Sequence, residues 1–470
     1  MGKLFSIQFA LLFLCATLGE ASAEPNFVFI LADDCSYRDL ELYGGPALTP
    51  HINALAQEGM TFSRCYQSAP MCSPTRHALY TGLYPVKNGA YPNHARAYAN
   101  VKSIPHYLQP DGYRVALAGK THISPETVFP FEYIKEFAEP PDADVTAVDG
   151  WRYPQVKKFL QESRDQKTPF CLFLCSNEPH SPYNKGDATP YREAKLSPQQ
   201  FDHHRESYAS YLAEITYFDG QVGEIMQMLS DLDLREQTLV MVATEQGSGF
   251  PFGKWTCYEI GVASGLVASW PGVIEPGSRT DAIVEYTDIL PTFLDAAGSG
   301  IPPSLDGRSF LEVLRGERNA HSKYAFSLQT TRGVNGYQQP YGIRSVVGQR
   351  YRYIRNLFPE NEFSIPSSRS VYQQTRQSDE PTRQRAERYL KRPAEELYDV
   401  LRDPYCQTNL IELANSPQQA ELDASKRELS QALDLWMTRQ ADSGRQVELD
   451  AHDRQADWYR ARLRRENSQP

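Results

Sequence analysis

Four short apolar segments constrain the fold of this 470-residue chain more than any other feature of its sequence. Their hydrophobicity is continuous rather than alternating, which is typical of strands buried on both faces of a parallel sheet. Each segment runs directly into charged, amide or imidazole side chains. The segments are residues 26–32, followed by Asp33-Asp34; 113–118, followed by Gly119-Lys120-Thr121-His122; 170–175, followed by Ser176-Asn177-Glu178-Pro179-His180; and 238–243, followed by Thr244-Glu245-Gln246.

This pattern predicts an α/β fold with one functional crevice. Apolar residues between Tyr208 and Leu229 recur at helical spacing, so we expect a helix between the last two strands. Open parallel sheets bind ligands beyond the carboxyl ends of their strands. Because the polar side chains all follow strands, we expect them to meet in one crevice and to belong to an enzyme.

The acidic and amide side chains of this crevice are candidate metal ligands. Asp33, Asp34, Glu245 and Gln246 offer hard oxygen atoms, which suit Ca²⁺ or Mg²⁺ better than Zn²⁺. Taken one at a time, such residues have simpler interpretations, since an Asp pair is often a solvated turn and a lone histidine is often structural. Their shared position at strand ends favours the functional interpretation.

The N-terminus and the overall charge limit the setting in which the protein works. Residues 1–23 combine Lys3, an apolar stretch and the pattern Ala21-Ser22-Ala23, which predicts a cleaved signal peptide and a periplasmic or secreted protein. The chain contains no Asn-x-Ser/Thr glycosylation site, which favours a bacterial protein. A net charge of −10 argues against nucleic-acid binding, and no later apolar run approaches the roughly 20 residues that would insert stably in a membrane.

Residues 71–82 carry the most specific pattern in the chain. Ser73 is expected to cap a helix, the proline after it fits the first helical position, and Gly82 fits the end of the helix. Cys72 then lies just before a helix N-terminus, where free N–H groups favour an anion, and Arg76 lies one turn further on. An isolated Cys-x-Pro-x-Arg pattern is also compatible with a low-pKa thiol or with a buried cysteine.

The pattern is not isolated. Cys72-Ser73-Pro74-Thr75-Arg76, followed by Thr81-Gly82, resembles the signature of the formylglycine-dependent sulfatases of the alkaline-phosphatase-like superfamily. The resemblance extends over nearly the whole chain after residue 23. Other segments similar to family motifs are residues 26–34, 49–56, 119–122 (a Gly-Lys-Trp-His box), 178–182 (a Pro-His-x-Pro segment), 305–309 and 396–404. Residues 250–256, 344–346 and 353–357 look most like the subgroup that contains heparan N-sulfatases.

The resemblance implies the architecture of the chain. It implies a large, mostly parallel sheet sandwiched by helices, with a smaller C-terminal domain of antiparallel sheet plus helix. We expect the catalytic domain at residues 24–335 and the C-terminal α+β subdomain at 336–470. Residues 341–347 and 351–354, on either side of Gly348, predict a hairpin, and residues 358–385, rich in Pro, Ser, Gln and charge, predict a long loop.

The resemblance also implies the nucleophile and its metal. Cys72 would be converted to formylglycine (3-oxoalanine) by a formylglycine-generating maturation enzyme, and a hydroxyl of the formylglycine hydrate would attack sulfur. The metal would be one Ca²⁺ ion, in preference to Mg²⁺. Its ligands would be Asp33, Asp34, Cys72, Glu245 and Gln246.

The remaining polar residues of the crevice would bind the sulfuryl group and move protons. Arg76, Lys120 and Lys254 would hold the sulfuryl oxygens and stabilise developing charge. His180 would protonate the leaving group, and His122 would take a proton from the second hydroxyl of the hydrate so that sulfate leaves.

Two departures from the family pattern stand out. Glu245-Gln246 occupies the place of a usual Asp-Asn or Asp-His pair, so each side chain is one methylene longer, and Thr121 replaces a common Trp. The implied substrate is a sulfated oligosaccharide or polysaccharide. The sugar, the sulfate position, O- versus N-sulfate and the oligomeric state stay open. The alternatives are a phosphate-ester or phosphonate hydrolase of the same superfamily and a catalytically decayed glycan-binding protein.

Overall fold

The structure is a computed structural model that describes residues 24–135, 153–413, 417–457 and 459–461. The expected signal peptide, residues 1–23, lies outside the described residues. Within the described residues, no helix combines the length and the apolar composition needed to cross a membrane. The chain forms two sheets, one large and mostly parallel and one small and antiparallel.

The large sheet contains the four strands expected from the sequence and places them side by side. Its order is β4-β3-β5-β1-β6-β7-β2-β8, with β9 also pairing with β2. Strand β7 runs antiparallel to its neighbours β6 and β2, whereas the other pairs are parallel. The strands are β1 (Asn26–Ala32), β2 (Met60–Tyr66), β3 (Arg114–Gly119), β4 (Glu132–Ile134), β5 (Phe170–Cys175), β6 (Thr238–Thr244), β7 (Ala263–Ser269), β8 (Ser278–Thr280) and β9 (Val284–Glu285).

Helices cover both faces of this sheet, as expected. Because successive residues of a strand point to opposite faces, Val28 and Ile30 of β1 pack among α1, α5 and α6, whereas Phe27 and Phe29 pack among α2, α4 and α8. The helices of this part are α1 (Pro50–Gln57), α2 (Cys72–Thr81), α3 (Pro85–Asn88), α4 (Ile104–Leu108), α5 (Pro154–Gln166), α6 (Arg205–Asp231), α7 (Glu259–Val262), α8 (Ile289–Ala296) and α9 (Leu311–Leu314).

The small sheet is antiparallel in the order β10 (Ala325–Gln329), β11 (Ile343–Val347), β12 (Tyr351–Asn356) and β13 (Glu395–Asp399). Strands β11 and β12 form the hairpin that the sequence predicts. Strand β10 belongs to this sheet although it precedes residue 336, so the sheet begins before the expected domain boundary. The long helix α12 (Gln419–Arg439) packs on the sheet through Leu433 and Trp436, and α13 (Arg445–Asp450) follows it.

The expectation of a long loop over residues 358–385 is wrong. The segment contains α10 (Pro366–Gln374) and the start of α11 (Glu380–Leu390). Both helices have a proline in their first turn, and the Asp379 side chain caps α11 by accepting a hydrogen bond from Thr382 N–H at 3.1 Å. Few residues of either helix are buried, which explains why hydrophobic periodicity did not show them.

Two buried arginines of the small sheet pair with distant carboxylates. Arg352 Nη2 lies 2.6 Å from Glu259 Oε2, and Tyr66 donates to the other oxygen of Glu259 at 2.9 Å. Arg344 pairs with Asp442, and neither side chain of that pair is exposed. The Arg352 pair joins the small sheet to residues that border the large sheet, so it holds the two sheets against each other.

We expect Arg352→Ala to lower the free energy of unfolding by about 3–5 kcal/mol, because it leaves the buried Glu259 carboxylate without its partner. The matched control is Arg355→Ala on the same strand, since Arg355 pairs with Asp434 at the surface. That change is expected to cost about 1 kcal/mol or less. Urea denaturation of both variants measures the difference, and equal losses would contradict this account of the interface.

Candidate active site

The strand order brings the four polar strand ends together. Strand β1 lies between β5 and β6, and β3 lies on the far side of β5, so the residues after these strands become neighbours. Backbone hydrogen bonds continue the sheet beyond the strands. They run from Glu245 N to Ala32 O at 3.0 Å, from Ser176 N to Leu31 O at 2.9 Å and from Lys120 N to Cys175 O at 2.8 Å. The loops that carry the side chains are therefore fixed to the sheet.

Cys72 occupies the first residue of α2, which begins slightly earlier than the sequence suggested. Met71, not Ser73, is the N-cap residue, and Gly82 ends the helix in the left-handed conformation as expected. The Ser73 hydroxyl instead accepts a hydrogen bond from Ala95 N–H at 3.2 Å. Ser73 thereby anchors a neighbouring loop to the start of the helix.

The Cys72 thiol faces the acidic cluster. Its Sγ lies 3.5 Å from Asp33 Oδ1 and 3.6 Å from Asp34 Oδ1, and Gln246 Nε2 donates to it at 3.0 Å. Burial, followed by the charges of Asp33 and Glu245, raises the pKa of the Cys72 thiol well above its ordinary value. The thiol is therefore neutral, so it is not an activated thiolate at this position.

Three cations compensate the three buried carboxylates. Arg76 Nε lies 2.8 Å from Glu245 Oε1, and both side chains are fully buried. Lys254 Nζ lies 2.6 Å from Asp34 Oδ2, and Lys120 pairs with Asp33. The cluster is thus close to electrical neutrality, which the interior requires of buried charges.

The carboxylates differ in how readily they hold a proton. Burial opposes the ionisation of Asp33, but Lys120, a hydrogen bond with Glu245 and Arg76 outweigh it and hold its pKa well below the usual range. Burial raises the pKa of Glu245 to about 8, Arg76 opposes this rise and Asp33 adds to it. Asp33 therefore ionises more readily than Glu245.

The two histidines have different surroundings. His180 is partly exposed, with Nδ1 donating to Ser181 O at 2.8 Å and Nε2 lying 3.4 Å from Asp34 Oδ2. His122 Nε2 lies 2.8 Å from Nδ1 of His94, which sequence reasoning did not identify. Burial and then the charge of Lys120 hold the pKa of His122 well below its usual value, so this ring is neutral.

A cleft of about 360 Å³ opens above these groups. Its polar floor includes Cys72, Lys254 and both histidines, and Trp255 lies on one side. The C-terminal part of the chain supplies another side through residues 333–335 and 365–367. The helix α10 that the sequence did not reveal therefore starts in the wall of the cleft.

The residues present fit a divalent metal ion. Four possible ligand atoms lie within 4.8 Å of one another, one each from Asp33, Asp34, Cys72 and Glu245. Gln246 Oε1 is buried and makes no hydrogen bond to any described residue, while its Nε2 donates to Asp34 Oδ1 at 2.5 Å. A half-turn of that amide exchanges its oxygen and nitrogen and would point a fifth oxygen or sulfur ligand into the cluster. The hard oxygen donors suit Ca²⁺ or Mg²⁺.

All ten sequence-predicted site residues lie around this cluster and cleft. Asp33, Asp34, Cys72, Arg76, Lys120, Glu245, Gln246 and Lys254 form the buried cluster, and His122 and His180 lie in the cleft beside it. Sequence reasoning missed His94, Trp255 and the 333–335 and 365–367 walls. Of these, Trp255 had a usable signal, since it follows Lys254 directly.

Comparison with known proteins also indicates a sulfatase. The sulfatase family profile matches residues 25–299, and the profile for the C-terminal region of N-sulphoglucosamine sulphohydrolase matches residues 247–368. An ulvan-active sulfatase of Formosa agariphila is 31% identical, over 90% of this chain and 81% of its own length. Human N-sulphoglucosamine sulphohydrolase is 29% identical, over 87% of this chain and 90% of its own length.

Solved structures agree at the level of the fold. A protein solved in complex with its substrate, D-glucosamine-2-N,6-O-disulfate, aligns with a TM-score of 0.64 over 90% of this chain and 99% of its own, at 19% identity. Because the family profile covers more than half of the sequence, the chain belongs to the sulfatase family. It is a sulfuric ester hydrolase.

The charges of the acidic cluster predict how substitutions change its affinity for Ca²⁺. Glu245→Gln should weaken Ca²⁺ binding by more than Gln246→Asn does, because only the first change removes a negative charge from the cluster. Saturating Ca²⁺ should raise the melting temperature of the wild-type protein through the coupling of ligand binding to folding. Calcium titrations followed by melting temperature, with chelator-treated protein as the reference, measure both effects.

The assignment of this metal site would be refuted by a chelator that changes neither activity nor melting temperature. It would also be refuted if Glu245→Gln and Gln246→Asn shifted the calcium midpoint equally.

Proposed function

We propose that this sulfatase is an exported enzyme that removes sulfate from a sulfated carbohydrate, with a formylglycine made from Cys72 as nucleophile and one bound Ca²⁺ ion. The observation that carries the proposal is the position of Cys72, which starts α2 with its Sγ 3.5 Å from Asp33 and 3.6 Å from Asp34. A side chain there can be held by the metal site and can face the cleft at the same time.

The charges of the cluster support an anionic substrate. Three carboxylates and three cations nearly cancel one another, so the site would carry a net positive charge with Ca²⁺ bound, and the ion would supply a Lewis acid that polarises oxygen atoms. Lys120 and Lys254 border the cleft, where their ammonium groups can turn from Asp33 and Asp34 toward sulfuryl oxygens. Arg76 is fully buried and pairs with Glu245, so in this proposal it keeps Glu245 in place and does not hold the sulfuryl oxygens, as the resemblance had implied.

The histidines supply the proton transfers. His180 is exposed to the cleft, and its Nδ1 bond to Ser181 leaves Nε2 to protonate the departing sugar oxygen or nitrogen. His122, whose pKa is held low, takes a proton from the second hydroxyl of the formylglycine hydrate so that sulfate leaves. A thiol has no second hydroxyl, which is why Cys72 requires conversion by a maturation enzyme.

Several observations support a carbohydrate substrate. The relatives include an ulvan-active sulfatase and an N-sulphoglucosamine sulphohydrolase, and the cleft wall combines Trp255 with neutral residues of the C-terminal part. The signal-like residues 1–23 support a periplasmic or secreted location, where such polymers are found.

Parallel assays with sulfate esters, phosphate esters and phosphonates test the leaving group, and preferred release of phosphate would refute the proposal.

Cys72→Ala should abolish sulfate release while leaving the melting temperature close to that of the wild-type protein, because the change removes the nucleophile from the edge of the cleft. Cys72→Ser should retain one attacking hydroxyl and accumulate a sulfated enzyme. Peptide mass spectrometry detects both the formylglycine in the wild-type protein and the sulfated serine in the variant. Appreciable activity of Cys72→Ala would overturn the mechanism, and so would an unmodified Cys72 in active protein.

His180→Gln should slow the hydrolysis of a sugar sulfate by roughly a hundredfold or more, because a general acid contributes about that much when the leaving group is poor. Nitrophenyl sulfate, whose leaving group needs little protonation, should lose far less activity. The ratio of the two kcat values measures the effect. An equal loss with both substrates would assign His180 to binding rather than to proton transfer.

A further inference from the structure

The segment that delivers Lys254 to the site also delivers an aromatic ring. Trp255 lines the same cleft as Cys72, Lys254 and His180, and it is partly rather than fully buried. Its ring centroid lies 5.0 Å from Lys254 Nζ, the ammonium that contacts Asp34. The indole therefore lies directly beside the group that is placed to hold the sulfuryl oxygens.

The backbone holds this ring in an unusual conformation. Trp255 has a left-handed φ of 74°, which costs energy for a bulky residue and persists where the surroundings enforce it. A hydrogen bond from Trp255 N–H to Pro70 O at 3.0 Å ties the residue to the segment that leads into Cys72. Lys254 N–H donates to Ser248 O at 2.8 Å. The first of these bonds fixes the backbone of Trp255 relative to the segment that carries Cys72.

A neighbouring aromatic residue of the same segment, Phe252, has a different environment from Trp255. Phe252 also has a left-handed φ, of 64°, but it is buried, with its ring 4.7 Å from that of Tyr389. Phe252 is thus part of the core that joins the two sheets, whereas Trp255 keeps a face toward the cleft. Trp255 also packs against this core, but unlike Phe252 it remains partly exposed and lines the cleft.

The cleft beside the indole suits a sugar ring. Gly249 also lines the cleft and leaves space there, since a Cβ would meet only Tyr183 Oη, at 3.6 Å. Val334, Ile365 and Pro366 line the same cleft and add apolar surface without charge. A pyranose presents one face of C–H groups, and flat aromatic rings in ligand pockets bind such faces by dispersion and by attraction to the ring quadrupole.

We infer that Trp255 is the platform on which the sulfated sugar stacks, so that the indole binds the pyranose ring while Lys254 binds the sulfate group. The inference rests on the proposed function, because it requires that the sulfuryl group be held at Lys254. It adds a sugar-binding residue that contributes affinity for the ring and none for inorganic sulfate.

The test measures dissociation constants by calorimetry, with Ca²⁺ present and in the Cys72→Ala background, where turnover does not consume the ligand. The probes are inorganic sulfate, glucosamine 6-sulfate and N-sulphoglucosamine. Before further substitution, at least one sugar sulfate should bind more tightly than inorganic sulfate. Trp255→Ala should weaken that sugar by roughly five- to tenfold and leave inorganic sulfate within about twofold.

Two variants control the measurement. Trp255→Phe retains a flat ring and should keep most of the affinity for the sugar. Trp270→Leu changes another partly buried tryptophan, which packs against the large sheet away from the cleft. This change should alter the affinity for neither ligand.

Two outcomes would overturn the inference. One is that neither sugar sulfate binds more tightly than inorganic sulfate. The other is that Trp255→Ala weakens sugar and inorganic sulfate equally, which would assign the indole to holding Lys254. Neither outcome depends on whether Cys72 is converted to formylglycine, so the inference and the proposed nucleophile fail separately.

Discussion

The compensation of three buried carboxylates by three cations is the constraint on which the rest of this structure depends. Isolated charges in a protein interior are strongly destabilising, so Asp33, Asp34 and Glu245 can be buried together only if each has a partner. The partners come from three other parts of the chain, through Arg76 of α2, Lys120 after β3 and Lys254. The large sheet and α2 must therefore assemble around the site as one unit.

The longer side chain at position 245 fits this arrangement. Glu245 reaches Arg76 on α2 at 2.8 Å and still contributes a ligand atom to the acidic cluster. Gln246 bridges Asp34 and Cys72 through its amide nitrogen. The pair that departs from the usual family pattern thus keeps the oxygen-rich character that a hard cation requires.

The small sheet has a functional as well as a structural place. Arg352 joins it to Glu259, and residues 365–367 at the start of α10 form a wall of the cleft that Cys72 also lines. The cleft is therefore built from different parts of the chain. The strand ends supply Asp33, Asp34, Lys120 and Glu245, and α2 supplies Cys72, whereas residues 365–367 supply part of the wall.

The sequence by itself determined four adjacent strands of the large sheet and the polar residues at their ends, because a strand buried on both faces must be continuously apolar and its polar continuation is easily seen. It also determined the start of α2 to within two residues, since Pro74 and Gly82 act locally. Only the tertiary structure decided that Lys120 meets Asp33, that His94 meets His122 and that α10 reaches the cleft. These contacts join residues far apart in the chain, and they follow from strand order and from the docking of the small sheet, for which no local pattern of residues exists.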